Sequence, residues 1–116
     1  NLSNHPIAGW GADQLHAAKA CAPNLIDLPF PEVPPEATSE EVAALSSRTF
    51  ARIPAEVTHA LVQGEFTLTA SMVHTLQARG IKCVAATTRR EVVGEDDGVK
   101  SSRFRFVAFR EYPKIG

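Results

Sequence analysis

Apolar positions in this chain recur with two spacings that take turns: short, nearly continuous runs, and longer stretches spaced three to four residues apart. The first run ends near Leu2 and Ser3, where a strand is expected to close. "GADQLHAAKA" follows, with Leu15, Ala18 and Ala12 on one helical face. "NLIDL" is short, β-branched at Ile26 and closed by Pro29, which predicts a second strand. Four prolines in "DLPFPEVPPEATSEE" then exclude a helix before Thr38. From Thr38 a helix is predicted, opened by a Thr38–Glu41 capping box and carrying Val42, Leu45, Thr49 and Ile53 on one stripe.

"VTHALV" predicts the third strand, and Thr67 to Arg79 the third helix, stopped by Gly80. "IKCVAAT" predicts a fourth strand, apolar almost throughout, as strands covered on both faces are. A C-terminal β-hairpin closes the pattern, with "REVV" and "SSRFRFVAF" joined across "GEDDGVK" and Asp97-Gly98 as the turn. Strands alternating with helices predict an α/β fold: a mainly parallel sheet with right-handed crossovers and helices on both faces.

Composition narrows this little. A chain of 116 residues fits one domain, so residues 1–116 are expected to fold as a unit, and the proline-rich stretch is a loop too short for a linker. No apolar run approaches the ~18 residues of a membrane span. A net charge of -1 argues against a surface built to coat long nucleic acid, so any anion has to be bound locally. Cys21 and Cys83 lack metal-ligand spacing and are expected as two buried thiols in a reducing cytosol. No signal peptide is visible, and because the chain opens at Asn1 rather than a methionine, native residues are expected before it.

In an open parallel sheet, ligands bind beyond the carboxyl ends of the strands where the strand order reverses. With the first strand central and the second and third on either side, that rule selects "SNHPIAGWG" and "QGEFTLT". In the second loop Gly64 permits a tight turn and close approach, and Thr67 or Thr69 can cap a helix whose N-H groups attract an anion. The same residues equally serve as a plain turn and cap. Glu65 would repel a phosphate unless it caps the helix, faces an adenine amino group or carries a proton.

In the first loop Ser3, Asn4 and His5 offer a hydroxyl, an amide and an imidazole able to move a proton near neutral pH. Trp10 either stacks on a base or covers the core. "TTRR", Thr87, Thr88, Arg89 and Arg90, supplies hydroxyls and guanidinium charge for a phosphate clamp, or forms a solvated hairpin. "RFRF" suits an amphipathic edge strand or a dimer contact better than single-strand RNA binding. His16, His59 and His74 have no metal-ligand spacing, and neither a phosphate-binding GxxxxGK[ST] loop nor a GxGxxG fingerprint is present.

At "LSNHP", "DLPFPEVPPEA", "VQGEFTLT", "GIKCVAATTRREVV" and "FRFVAFREY" the chain resembles small stand-alone proteins encoded beside type III CRISPR systems. These are related to CARF sensor domains and include ring nucleases. The resemblance implies a Rossmann-like sheet, a two-fold homodimer in the cytoplasm, and binding of cyclic oligoadenylate, cyclic tetra-adenylate foremost. It implies cleavage without metal or cofactor, by in-line attack of a ribose 2'-hydroxyl that leaves a 2',3'-cyclic phosphate and ends the antiviral signal. Ser3, Asn4 and the loop of Gly64, Phe66, Thr67 and Thr69 would hold phosphates, with Thr87, Thr88 and Arg89 beside them. Arg90 would supply charge, and His5 and Glu65 would transfer protons.

CARF sensors often carry a lysine or a further glycine where this chain has "GEFTLT", which leaves the phosphate grip and the ring size open. A non-cleaving sensor or sponge is the alternative. A structural partner that binds no nucleotide is the third reading.

Overall fold

A computed structural model of the chain describes residues 1–96 and 99–116. The described elements are β1 (Leu2–Ser3), a short 3-10 turn (Ile7–Gly9), α1 (Ala12–Cys21), α2 (Ser39–Ala51), β2 (His59–Gln63), α3 (Phe66–Ala78), β3 (Lys82–Asp96) and β4 (Val99–Glu111). They form an α/β fold with an open, mixed four-stranded sheet in the order β1-β2-β3-β4. β1 and β2 are parallel, as are β2 and β3, while β3 and β4 are antiparallel.

Two expectations about the strands need correction, and one about the thiols: Cys83 is buried, as expected, but Cys21 is exposed. "NLIDL" forms no strand; it is an extended segment alongside β1, with Leu28 N donating to Asn1 O at 2.8 Å and Phe30 N to Ser3 O at 3.4 Å. Pro29 and Pro31 alternate with these donors, so their missing N-H groups fall on the outer side, where a neighbouring strand would have paired. β1 therefore lies between this segment and β2. The second correction concerns the hairpin, whose first arm is not separate: "IKCVAAT" and "REVV" belong to one 15-residue strand, β3. The expected Asp97-Gly98 turn lies outside the described residues.

The pleat sorts the side chains. Leu2 pairs with Val62 and Ala60 with Cys83, and all four are buried beneath α3 through Leu68, Met72, Val73 and Leu76. α2 packs behind α3 and contributes Val42, with Leu45, Phe50 and Ile53 partly buried against the same core. On the opposite face lie Ser3, Leu61, Gln63, Ala86 and Thr88, beside α1. A register shift in β4 between Thr87 and Thr88 leaves Val107 as an extra residue, which brings Phe106 and Phe109 onto this second face with their rings 5.0 Å apart.

Candidate functional site

The second face carries a cleft of about 730 Å3, open to solvent, at the carboxyl ends of β1 and β2. It lies within the ~300–1,000 Å3 common for small-molecule sites. Its floor is Ser3, Leu61, Gln63, Ala86 and Thr88; its walls are the β1–α1 loop, the start of α1 and the β4 stretch Arg103–Phe106. Gln63 extends the ladder by side chain, accepting from Ala86 N at 2.9 Å and donating to Ala86 O at 3.4 Å. Gly11, the N-cap of α1, has no side chain to cap the helix, so its first N-H groups are left for another acceptor at the cleft wall. Asp13 in that first turn is the one carboxylate among the lining residues.

The β1–α1 loop is held by its own polar groups. Ser3 Oγ donates to Asn1 Oδ1 at 2.7 Å and accepts from His5 N at 3.2 Å. His5 O accepts from Asn1 Nδ2 at 2.8 Å and from the Trp10 indole at 3.0 Å. The His5 backbone is thus fixed on both sides, while among the described residues nothing is hydrogen-bonded to its imidazole. Trp10 leans on Phe109 with ring centroids 6.3 Å apart, so it both covers apolar surface and walls the cleft.

The Gly64–Thr69 loop lies outside this cleft and is occupied by the protein itself. A Cβ at Gly64 would stand 2.5 Å from the Phe30 ring, so the close approach that glycine permits is to Phe30. Glu65 is the N-cap of α3: its carboxylate accepts from Thr67 N, from Leu68 N at 3.1 Å and from Thr67 Oγ1 at 2.5 Å. The Thr67 hydroxyl and the two N-H groups hold this carboxyl below its ordinary value, with the Thr67 hydroxyl contributing most. The helix end that would attract an anion already holds one. Thr69 is buried in α3, and Phe66 stands 90% exposed at the helix start, away from the cleft lining.

Of the remaining expected residues, Thr88 lines the cleft. Thr87 donates its hydroxyl to Ala108 O at 3.0 Å, across the bulge. Arg90 pairs with Phe104 and Arg89 with Arg105, so the two arginines project from opposite faces of the β3–β4 arm, and neither is among the lining residues. Asn4 is exposed beside the cleft. Ser3, His5 and Thr88 are therefore brought together; Asn4, Gly64, Glu65, Phe66, Thr67, Thr69, Thr87, Arg89 and Arg90 are not.

Arg103, Phe104, Arg105 and Phe106 were visible in sequence only as an alternating edge. Gln63 carried no signal beyond its place at a strand end, and the free α1 terminus was marked by the absence of a capping residue in "WGAD". Among the described residues no three His, Cys, Asp or Glu side chains are grouped to hold a metal ion, and no helix is long and apolar enough to cross a membrane. A family model, described as the Uncharacterized protein MJ1673 family, matches residues 1–110. No curated protein and no solved structure matches the chain.

Proposed function

The chain belongs to the Uncharacterized protein MJ1673 family, and for this member we propose that the cleft binds cyclic oligoadenylate, cyclic tetra-adenylate foremost, and cuts it as a metal-independent ring nuclease. The fold would then be a Rossmann-like, CARF-like domain acting as a homodimer in the cytoplasm, and its task would be to end type III CRISPR signalling. One observation carries the proposal: a single cleft combines an imidazole, an uncapped helix N-terminus and three aromatic side chains, with Arg90 on the same face of the β3–β4 arm as Phe104 and Phe106. A phosphodiester with bases attached needs these groups together, since stacking, charge and proton transfer act at different points of the ligand.

In the proposed reaction the 2'-hydroxyl oxygen attacks the adjacent phosphorus as the bond to the 5' oxygen breaks. The 2' proton leaves and the 5' oxygen gains one, with His5 placed to assist either transfer. The α1 N-H groups stabilise the charge on the phosphoryl oxygens, and Arg90, on the same face of the arm as Phe104, adds to the field, while Arg103 and Arg105 pair with Glu91 on the other face. Trp10, Phe104 and Phe106 stack bases. Glu65 takes no part beyond capping α3. An open cleft suits sharing a ring with a second copy across a two-fold axis.

The free His5 imidazole favours a second reading, a sponge that binds without cutting, because a catalytic base is usually oriented by a third group. Incubation with cyclic tri-, tetra- and hexa-adenylate in EDTA, followed by mass spectrometry, separates the two. Linear products ending in 2',3'-cyclic phosphate are expected, with His5→Ala roughly 100-fold slower. An intact ring that raises the melting temperature would leave the sponge, and no shift with any ring would remove the nucleotide reading.

A further inference from the structure

Asp27 lies on the extended segment beside β1, outside the cleft, yet it is tied to the loop that carries His5. Its Oδ1 accepts from Asn1 Nδ2 at 2.9 Å and from Ile7 N at 3.2 Å, and its Oδ2 lies 3.3 Å from the same Ile7 N. Asn1 in turn donates to His5 O and accepts from Ser3 Oγ, and Ser3 Oγ accepts from His5 N. The carboxylate therefore grips the loop on both sides of His5, at Asn1 through its amide and at Ile7 through its backbone.

We infer that Asp27 is the positioning residue of the site: it fixes the Asn1–Ser3–His5–Trp10 web and so sets where the His5 imidazole stands in the cleft. The inference rests on the reading of His5 as the proton-transfer group. Pro6 restricts His5 to extended backbone, and the 3-10 turn Ile7–Gly9 begins at the N-H that Asp27 accepts, so the chain has one anchor on each side of the histidine. Release of Asp27 frees the Ile7 end and removes a partner of the Asn1 amide. The backbone that carries the imidazole then samples several positions instead of one, which slows chemistry more than it weakens binding.

The test uses the full chain with four variants: Asp27→Ala, Asp27→Asn, His5→Ala and the double variant His5→Ala/Asp27→Ala. With cyclic tetra-adenylate, Asp27→Ala is expected to lower kcat about tenfold with KM changed less than about twofold. Asp27→Asn, whose amide oxygen still accepts from Ile7 N and Asn1 Nδ2, is expected to return to within about threefold of the parent. In the His5→Ala background the further loss from Asp27→Ala should vanish, because a positioning role has nothing left to position. A tenfold loss that persists without His5, or Asp27→Ala with parental kcat, overturns the inference.

A second readout does not depend on activity. Trp10 is the only tryptophan, so its indole N-H gives one side-chain resonance in the free protein, reporting the hydrogen bond to His5 O. Its exchange with solvent should quicken in Asp27→Ala and stay slow in Asp27→Asn. If the parent protein leaves every ring intact, the ring-cleaving reading falls by itself. Indole exchange then decides the positioning role, and unchanged exchange in Asp27→Ala refutes it.

Discussion

Gly64 and Glu65 sit side by side at the end of β2 and are both committed to the fold. At Gly64 the Phe30 ring occupies the space of a side chain, so Gly64→Ala must displace a buried aromatic. Overpacking of this kind costs about 1–3 kcal/mol. Urea melts should show that loss while ring affinity stays at the parental value; normal stability with lost affinity would return the loop to the site. Glu65 makes a pH prediction. Its folded pKa lies below the ordinary glutamate value of 4.5, chiefly because the Thr67 hydroxyl favours the charged form, with the Leu68 and Thr67 N-H groups adding to it and desolvation opposing. Stability from this cap is therefore complete above the unfolded value and is lost as the pH falls through the lowered folded value. Glu65→Gln should melt below the parent near neutral pH, with the gap narrowing in acid. A gap that widens in acid would contradict the cap.

Among the elements, α2 was the most legible, because its start is written in local chemistry: Glu41 N donates to Thr38 Oγ1 at 3.1 Å and Thr38 N to Glu41 Oε1 at 3.4 Å, as the Thr-x-x-Glu spacing requires. The α/β alternation was legible for the same reason, since periods of two and of three to four are set by backbone geometry. The extended segment at Leu28 and Phe30 was harder, because prolines on the outer positions of an edge segment leave the apolar pattern of a strand intact. The merged β3 was hidden because nothing local marks where a strand passes from buried sheet into an exposed arm. In the site, Ser3, His5 and Thr88 could be placed by the carboxyl-end rule. The role of Gly64 could not, since a glycine that admits Phe30 reads like one that admits a ligand. β4 returns to the core through Tyr112, whose hydroxyl donates to Val62 O at 2.7 Å and whose N-H donates to Cys83 O at 2.9 Å. Tyr112→Phe leaves the Val62 carbonyl without that donor and should cost about 1–3 kcal/mol in chemical denaturation. A change below that range would mean that water replaces the hydroxyl.

Across the molecule as a whole, the two faces of the sheet are covered differently. Between α3 and the sheet, Val62, Leu68, Met72, Val73 and Leu76 are fully buried at the centre of the apolar core. The opposite face is left partly open, and the β3–β4 arm extends past the helices. The radius of gyration is 16.0 Å, against about 13 Å for a compact chain of this length. The exposed ion pairs Arg103–Glu91 and Arg105–Glu91, at 3.7 and 3.5 Å, stiffen the arm little. Phe104 is 72% exposed on this arm at the cleft wall. So large an exposed aromatic contributes little to folding, and its apolar face is available to a base. Phe104→Ser should therefore shift stability by no more than about 0.5 kcal/mol. Loss of a stacking partner worth about 1–3 kcal/mol should weaken cyclic tetra-adenylate binding by roughly tenfold or more. Calorimetric titration beside a thermal melt reads both numbers from one preparation. Parental affinity would place the arm outside the site, whereas weak binding with a lowered melting temperature would make Phe104 part of the core. Weak binding at an unchanged melting temperature is the result that the proposed ring-binding role of the open face requires, since the core is packed on the other face.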